Sequence, residues 1–376
     1  MGRIFTVEVR MANVTLITGG DGYLGRRIAA KLLEETDSRL LLWLRAADAS
    51  AFLSKQDVLA ESFGRFEGRV EYCYGDLTGE SPFDGIEPAS ICRIVHAAAV
   101  TRFNVDEGTA RRVNIEGTEK LLRFAERCGA LERLGLLSSI YASGMRAGPI
   151  PETPFVNAGF ANHYESSKWA AETLLFEKYA HLPWRIFRIA TAIADDANGQ
   201  VSQHNAVHNT LKLLYYGLIS TLPGKPGTPM YLVTGDFAAD AVCRLMRVSG
   251  SARIFHVAHR REQSLSLDEL ITLVFGVFET DEFFRKRRIP RPLYVDEEAF
   301  ELLHSALGAF AGGVVNQAVD SVAPFARQLF ITKEVQNANL IAALGRDPAP
   351  DASAVVEATC RHLVRTKWGR EKDRVS

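Results

Sequence analysis

The stretch Val14-Thr15-Leu16-Ile17-Thr18-Gly19-Gly20-Asp21-Gly22-Tyr23-Leu24-Gly25 decides the fold. Val14 to Thr18 is a short apolar run of strand length, and from Leu24 to Leu33 apolar residues recur at helical spacing. Between them stands a G-x-x-G-x-x-G turn. Glycines there let the main chain approach a pyrophosphate, and the opening helix presents oriented N–H groups and the positive end of its dipole. This order predicts the first βα unit of a dinucleotide-binding fold, with Thr18, Gly19, Gly22, Tyr23, Leu24 and Gly25 against the cofactor.

Outward from this unit, near-continuous apolar runs at 40–44, 70–74, 91–96, 134–137 and 185–189 alternate with helical segments. Strands covered on both faces by crossover helices read this way. The expectation is an α/β fold, a Rossmann-type doubly wound parallel sheet, with a smaller C-terminal substrate-binding lobe. Residues 11–194 are expected to form the dinucleotide-binding domain, its sheet completed by segments near 230–260, at 231–233 and 254–257. Residues 195–376 are mainly the lobe and 1–10 an extension. In the lobe, 211–218 reads as an apolar helix and Ser266 to Glu269 as a capping box. The glycine-dotted apolar stretch 299–330 reads as core, dimer surface or the wall of an acyl pocket, and one helix follows Pro348.

Composition narrows the partners. A chain of 376 residues with 47% hydrophobic and 24% charged residues is globular, and a formal net charge of -1 offers no field for nucleic acid or an acidic membrane. Its five cysteines lack metal-ligand spacing, so no metal is expected, and they read as buried thiols of a reducing compartment. No apolar run is long enough to span a bilayer, and a cytoplasmic enzyme is the expectation.

Tyr164-Glu165-Ser166-Ser167-Lys168 carries the candidate chemistry. Residues four apart share a helix face, so the Tyr164 phenol and Lys168 ammonium are expected in one site, the ammonium lowering a phenol pKa that is otherwise about 10. Upstream, Leu44-Arg45 ends the second strand where an NAD enzyme usually carries an acidic residue, and Arg26 and Arg27 follow the glycine turn. Guanidinium groups suit a 2'-phosphate, which favours NADP(H), while Asp48 nearby favours NAD. Asp76 and Leu77 follow the third strand, placed for the adenine, and Ala97, Ala98 and Ala99 follow the fourth, small enough for a cofactor to lie across the strand ends. Asn114 and Gly117 interrupt an otherwise sheet-packing helix at about 109–128. His204, Asn205 and His208 read as a solvated helix start, with substrate contact the alternative. His96 reads as a packed neighbour of the cofactor, and His163 as pointing off the Tyr164 face.

With the glycine turn, Asn114, the Leu136-Leu137-Ser138-Ser139 strand end and Tyr164/Lys168 in this order, the chain resembles an extended short-chain dehydrogenase/reductase. Val95 to Asn104 (VHAAAVTRFN), Tyr74 to Gly79 (YGDLTG) and Tyr164 to Leu175 (YESSKWAAETLL) are similar to the thioester-reductase and fatty acyl-CoA reductase branch. The resemblance implies a catalytic group of Ser139, Tyr164, Lys168 and Asn114, with Ser138 the alternative serine, and adds Lys168 and Ile189 to the cofactor contacts. Where the family carries Arg-Pro and then a glycine after the sixth strand, this chain has Arg188-Ile189 and Ala194. The implied activity is NADPH-dependent reduction of an acyl thioester, on coenzyme A or a carrier protein, to an aldehyde or alcohol. The alternatives are a reductase of a free ketone, aldehyde or alcohol, a nucleotide-sugar epimerase, and a non-catalytic NADP-binding protein. The family also suggests a homodimer through the helices that carry Asn114 and Tyr164.

Overall fold

The computed structural model describes residues 13–309, 323, 325–345 and 349–371. The 1–10 extension and 310–322 of the apolar stretch lie outside the described residues. The chain runs β1 (Val14–Thr18), α1 (Tyr23–Glu35), β2 (Arg39–Arg45), α2 (Ala49–Phe63), β3 (Val70–Gly75), β4 (Ile91–His96), α3 (Gly117–Arg127), β5 (Arg133–Ser139), α4 (His163–Glu177) and β6 (Trp184–Ile189). After these come α5 (Ala206–Tyr215), α6 (Gly235–Arg247), β7 (Ile254–Val257), α7 (Leu267–Phe278) and α8 (Ala352–Arg365).

The seven strands form one sheet in the order β7-β6-β5-β4-β1-β2-β3, with every pairing parallel. Strand order reverses between β1 and β4, and a crevice at the carboxyl ends of strands opens at such a switch point. The inner runs are continuous because both faces are covered, whereas Glu71 and Tyr74 of the edge strand β3 are exposed. Ile28, Leu32, Val242 and Leu245 of α1 and α6 pack on one side, and Leu121, Phe124 and Leu175 of α3 and α4 on the other.

Two short apolar returns behave differently. Residues 254–257 join the sheet edge as β7 beside β6. The strand Leu232–Thr234 instead pairs with Thr191–Ala194, outside the seven-stranded sheet. The chain changes partner just after β6: Ala190 N–H donates to Val257 O, whereas Thr191 N–H donates to Tyr231 O.

The helix expected at 109–128 is interrupted. Glu107–Ala110 is helical, Arg111–Glu116 is a π turn, and α3 begins at Gly117. Gly117 is required by close approach, since a Cβ there would lie 2.8 Å from Leu77 Cβ.

The lobe has its own core, in which Leu211 and Leu214 of α5 meet Leu270, Ile271 and Val274 of α7 and Val355 and Val356 of α8. The expected Ser266–Glu269 capping box opens α7, with Glu269 N–H donating to Ser266 Oγ at 3.2 Å and Ser266 N–H to Glu269 Oε2 at 2.7 Å. The helix expected at 211–218 begins earlier, at Ala206, because the Asn205 side chain caps it by accepting from Val207 N–H at 3.0 Å. No helix among the described residues is long and apolar enough to cross a membrane. All five cysteines are free, four of them buried and Cys73 half-buried.

Candidate active site

A cleft of about 420 Å³ opens at the carboxyl ends of β1, β4, β5 and β6. It is bounded by the glycine turn on one side and by the start of α5 and Phe325 on the other.

Tyr164 and Lys168 both line it, one turn apart on α4, whose start is fixed by Asn162 accepting from Glu165 N–H at 3.0 Å. Lys168 Nζ donates to Leu137 O at 2.9 Å. Burial pushes the Lys168 ammonium down to about 8, opposed by Glu172. The Tyr164 phenol moves the opposite way from the sequence expectation. Burial pushes it up to about 12, with the Ser139 hydrogen bond acting against the rise. Lys168 therefore does not lower it in the protein alone; its Nζ is held on the Leu137 carbonyl, and desolvation of the phenolate dominates.

The two serines at the end of β5 separate cleanly. Ser138 donates to the buried Glu172 carboxylate at 2.5 Å, so its proton is committed. Ser139 Oγ accepts from Tyr141 N–H at 3.2 Å and is a hydrogen-bond partner of Tyr164. Sheet register pairs Ser139 with Ile189, which is why Ile189 also lines the cleft.

Asn114 is not in the cleft lining. Its Oδ1 accepts from Val100 N–H at 2.8 Å, and its Nδ2 donates to Val100 O and to Ser167 Oγ, both at 2.9 Å. In the π turn it pins the loop after β4 to α4. These hydrogen bonds give Asn114 a positioning role between the two segments.

At the other end, Gly22, Tyr23, Leu24, Gly25, Ala97 and Ala99 line the cleft. Gly25 admits no side chain, since a Cβ would lie 2.0 Å from Gly19 O. Gly22 caps α1 with no side-chain hydrogen bond, so the first-turn N–H groups keep their capacity for an anion. These features fit a dinucleotide pyrophosphate.

Thr18, Gly19 and Ala98 lie behind this surface. Thr18 is buried, its Oγ1 2.7 Å from His96 Nδ1 and accepting from Ala98 N–H at 3.3 Å, and Gly19 abuts Ala98. His96 is held between Thr18 and Thr118. Burial drives its pKa down to about 3, with Lys168 adding to the fall. Leu77 is likewise a core residue rather than a cleft one.

Arg45 is exposed at the end of β2 and donates to Asp76 at 3.0 Å. Asp76 also accepts from Thr78 N–H. Lys55 donates to the main-chain O of Arg45 and to Asp21. Asp48 is occupied as the cap of α2, accepting from Ala51 N–H at 2.8 Å. Arg26 is half-buried on α1, and Arg27 turns to the lobe, pairing with Asp195 at 2.6 Å.

Sequence reasoning did not single out the aromatic rings of the cleft, although it offered 299–330 as a pocket wall and Asn205 as a substrate contact, each among alternatives. Phe103 meets Tyr164 edge to face at 5.5 Å and stacks on Phe325 at 5.4 Å. Tyr141 meets both Phe103 and Phe325, and its hydroxyl is 3.2 Å from Thr191 Oγ1. Phe103 lies within VHAAAVTRFN and Phe325 within the apolar stretch 299–330, so a signal existed for each segment, though not for the individual ring. The solvated helix start at 204–208 is corrected in part. Asn205 lines the cleft, and His208 is buried, bonded to Asn205 N–H and Ile193 O, with burial pushing its pKa down to about 4. His163 is exposed, off the Tyr164 face.

Residues 17–242 match the model of an NAD-binding family described as Male sterility protein. The chain belongs to that family. This chain is 28% identical over 319 residues to an isonitrile lipopeptide synthase of Mycobacterium tuberculosis, covering 71% of this chain and 12% of that one. It is 25% identical over 305 residues to a carboxylic acid reductase of the same organism, covering 68% of this chain and 25% of the relative. The chain therefore spans a quarter or less of these relatives' length. Its fold is similar to the crystal structure of the terminal R domain from the myxalamid PKS-NRPS biosynthetic pathway, with a TM-score of 0.76, 20% identity, and 95% and 92% of the two chains covered.

Proposed function

We propose that the protein is an NADPH-dependent reductase of an acyl thioester, presented on coenzyme A or a carrier protein, yielding an aldehyde or alcohol. The observation that carries this reading is the single cleft in which Ser139, Tyr164 and Lys168 face the open N-terminus of α1 while the far wall, Val207 and Phe325, belongs to the lobe. The similarity to an isonitrile lipopeptide synthase and a carboxylic acid reductase supports it. Residues 11–194 supply the cofactor side in this reading, and 195–376 the substrate side.

Bound NADPH supplies the hydride for the thioester carbon. The chain's part is to hold and neutralise the oxygen. Ser139, whose oxygen already accepts from Tyr141 N–H, points its proton to the carbonyl oxygen, and Tyr164 donates beside it. A phenol held near 12 stays protonated until negative charge builds on that oxygen, which suits a proton donor. Lys168, fixed on Leu137 O, holds the nicotinamide ribose. Collapse of the hemithioacetal expels the thiol, so one thioester, one NADPH and one proton give aldehyde, thiol and NADP+.

Preference for the 2'-phosphate is supported by exposed Arg45, with Lys55 on its main-chain carbonyl, and by Asp48 being occupied as a helix cap. One charge-assisted contact is worth about 1.5–3 kcal/mol, so Arg45→Ala is expected to lower the NADPH over NADH preference at least about tenfold. An unchanged ratio would remove Arg45 from the phosphate site. The activity itself is tested by cofactor oxidation with acyl-CoA and acyl-carrier substrates against free ketones and aldehydes. Turnover of the free carbonyls with none of the thioesters would overturn the reading.

A further inference from the structure

A second cavity of about 230 Å³ lies inside the lobe. Its lining is almost wholly aliphatic and aromatic, with Leu211, Leu214, Met230, Leu270, Ile271 and Leu329 prominent. Val207 and Phe325 line both this cavity and the active-site cleft, so the two spaces meet at those side chains. Aromatic rings lead from one to the other: Tyr164 to Phe103 at 5.5 Å and Phe103 to Phe325 at 5.4 Å put the Phe325 ring within about 11 Å of the proposed proton donor.

The junction is built rather than incidental. The segment that follows Phe325 is clamped under the site, with Gln328 Nε2 donating to Glu165 Oε2 at 2.9 Å and Lys333 Nζ to Ser143 Oγ at 3.0 Å. Glu165 is the residue next to Tyr164. Val207 is held just as firmly, in the first turn of α5 below the Asn205 cap.

Resting on the thioester reading of the same site, we propose that this cavity takes the distal end of an unbranched apolar acyl chain, and that Val207 and Phe325 form the neck through which the chain passes. An apolar cavity of about 150 Å³ accepts benzene, so one half as large again holds about nine carbons. With no charged side chain among its described lining residues, the cavity selects against polar or charged acyl groups, because burying these without partners is costly.

The test is binding of unbranched primary alcohols of four to twelve carbons, which carry no thioester, measured by calorimetry on the whole chain. Each added methylene is expected to tighten binding about fourfold until the cavity is full near nine carbons, and to add little beyond. Leu270→Trp, which fills the cavity, and Val207→Trp, which closes the neck, are each expected to cut the gain from butanol to nonanol at least tenfold. Unfolding curves identify any variant that fails to fold, and the wild-type series stands without it. A flat series, or variants that keep the full gain, would overturn the cavity assignment. Acyl-thioester turnover with a flat alcohol series leaves the reductase and removes the chain pocket. A steep series with no thioester turnover does the reverse.

Discussion

Tyr164 and Lys168 share a face of α4, yet burial drives their proton affinities in opposite directions, up to about 12 and down to about 8. The spacing was legible in the sequence because helical geometry is local. The sign of the phenol's shift was not, because desolvation depends on what packs above the ring, and Phe103 and Ser139 arrive from distant segments. Tyr164→Phe keeps the ring packing and removes the proton; kcat on a thioester is expected to fall about 100- to 10,000-fold, with the NADPH dissociation constant much less changed, as fluorescence titration would show.

Glu165 provides a pH signature at the same scale. It is wholly buried, and burial raises its carboxyl to about 7, opposed by the Ala161 N–H and Lys333. With the folded pKa above the unfolded value near 4.3, the folded state binds the extra proton between those two pH values. Its contribution to stability is then most favourable at low pH and declines as pH rises from about 4 to 7. Glu165→Gln is expected to flatten that decline in urea midpoints measured across the window. A slope identical to wild type would show that Glu165 is not the group responsible.

At the level of elements, α4 is fastened to β6 by an ion pair that no periodicity reveals. Arg188 on β6 is fully buried, donates to Glu172 of α4 through Nη2 at 2.7 Å, and lies 3.4 Å over the Phe155 ring. Glu172 also accepts from Ser138, so one carboxylate serves helix, strand and site edge. Removing one partner of such a pair leaves the other charged and dry. Arg188→Met is expected to cost about 3–5 kcal/mol in urea unfolding, against about 0–1 kcal/mol for breaking an exposed pair such as Lys286–Glu282. Strand positions were legible because apolar runs buried on both faces are continuous. The early start of α5 and the π turn at 111–116 were not, since a cap and the Asn114 contacts to Val100 and Ser167 outweigh local apolar spacing.

Across the whole molecule, lobe and sheet are tied at both ends of the cleft. Tyr23 of the glycine turn donates to Ala194 O at 2.8 Å, and Arg27 pairs with Asp195 at 2.6 Å. At the substrate end, buried Lys333 reaches Ser143 and the carbonyls of Gly144 and Arg146, contacts nearly 190 residues apart in the chain. Lys333→Met removes the ammonium from those acceptors, leaving Gly144 O only the longer Gln328 bond at 3.4 Å, and leaves Glu165 without its nearby cation. It is expected to destabilise the fold by about 3–5 kcal/mol and to speed amide exchange in residues 325–335 before the central strands. Exchange unchanged there would show that Phe325 is held in place by packing alone.

The sequence by itself determined the strand-turn-helix order, the cofactor-binding turn, the Tyr164/Lys168 pair and the family, because each is written in contiguous residues at the period of one element. Only the tertiary structure decided that the Ser138 proton goes to Glu172, that Asn114 bonds Val100 and Ser167, that His208 is buried, and that the Phe103 and Phe325 rings stack beside Tyr164. Those outcomes depend on which distant side chains share a dry volume, and burial energy and hydrogen-bond partners are properties of that shared volume rather than of any stretch of chain.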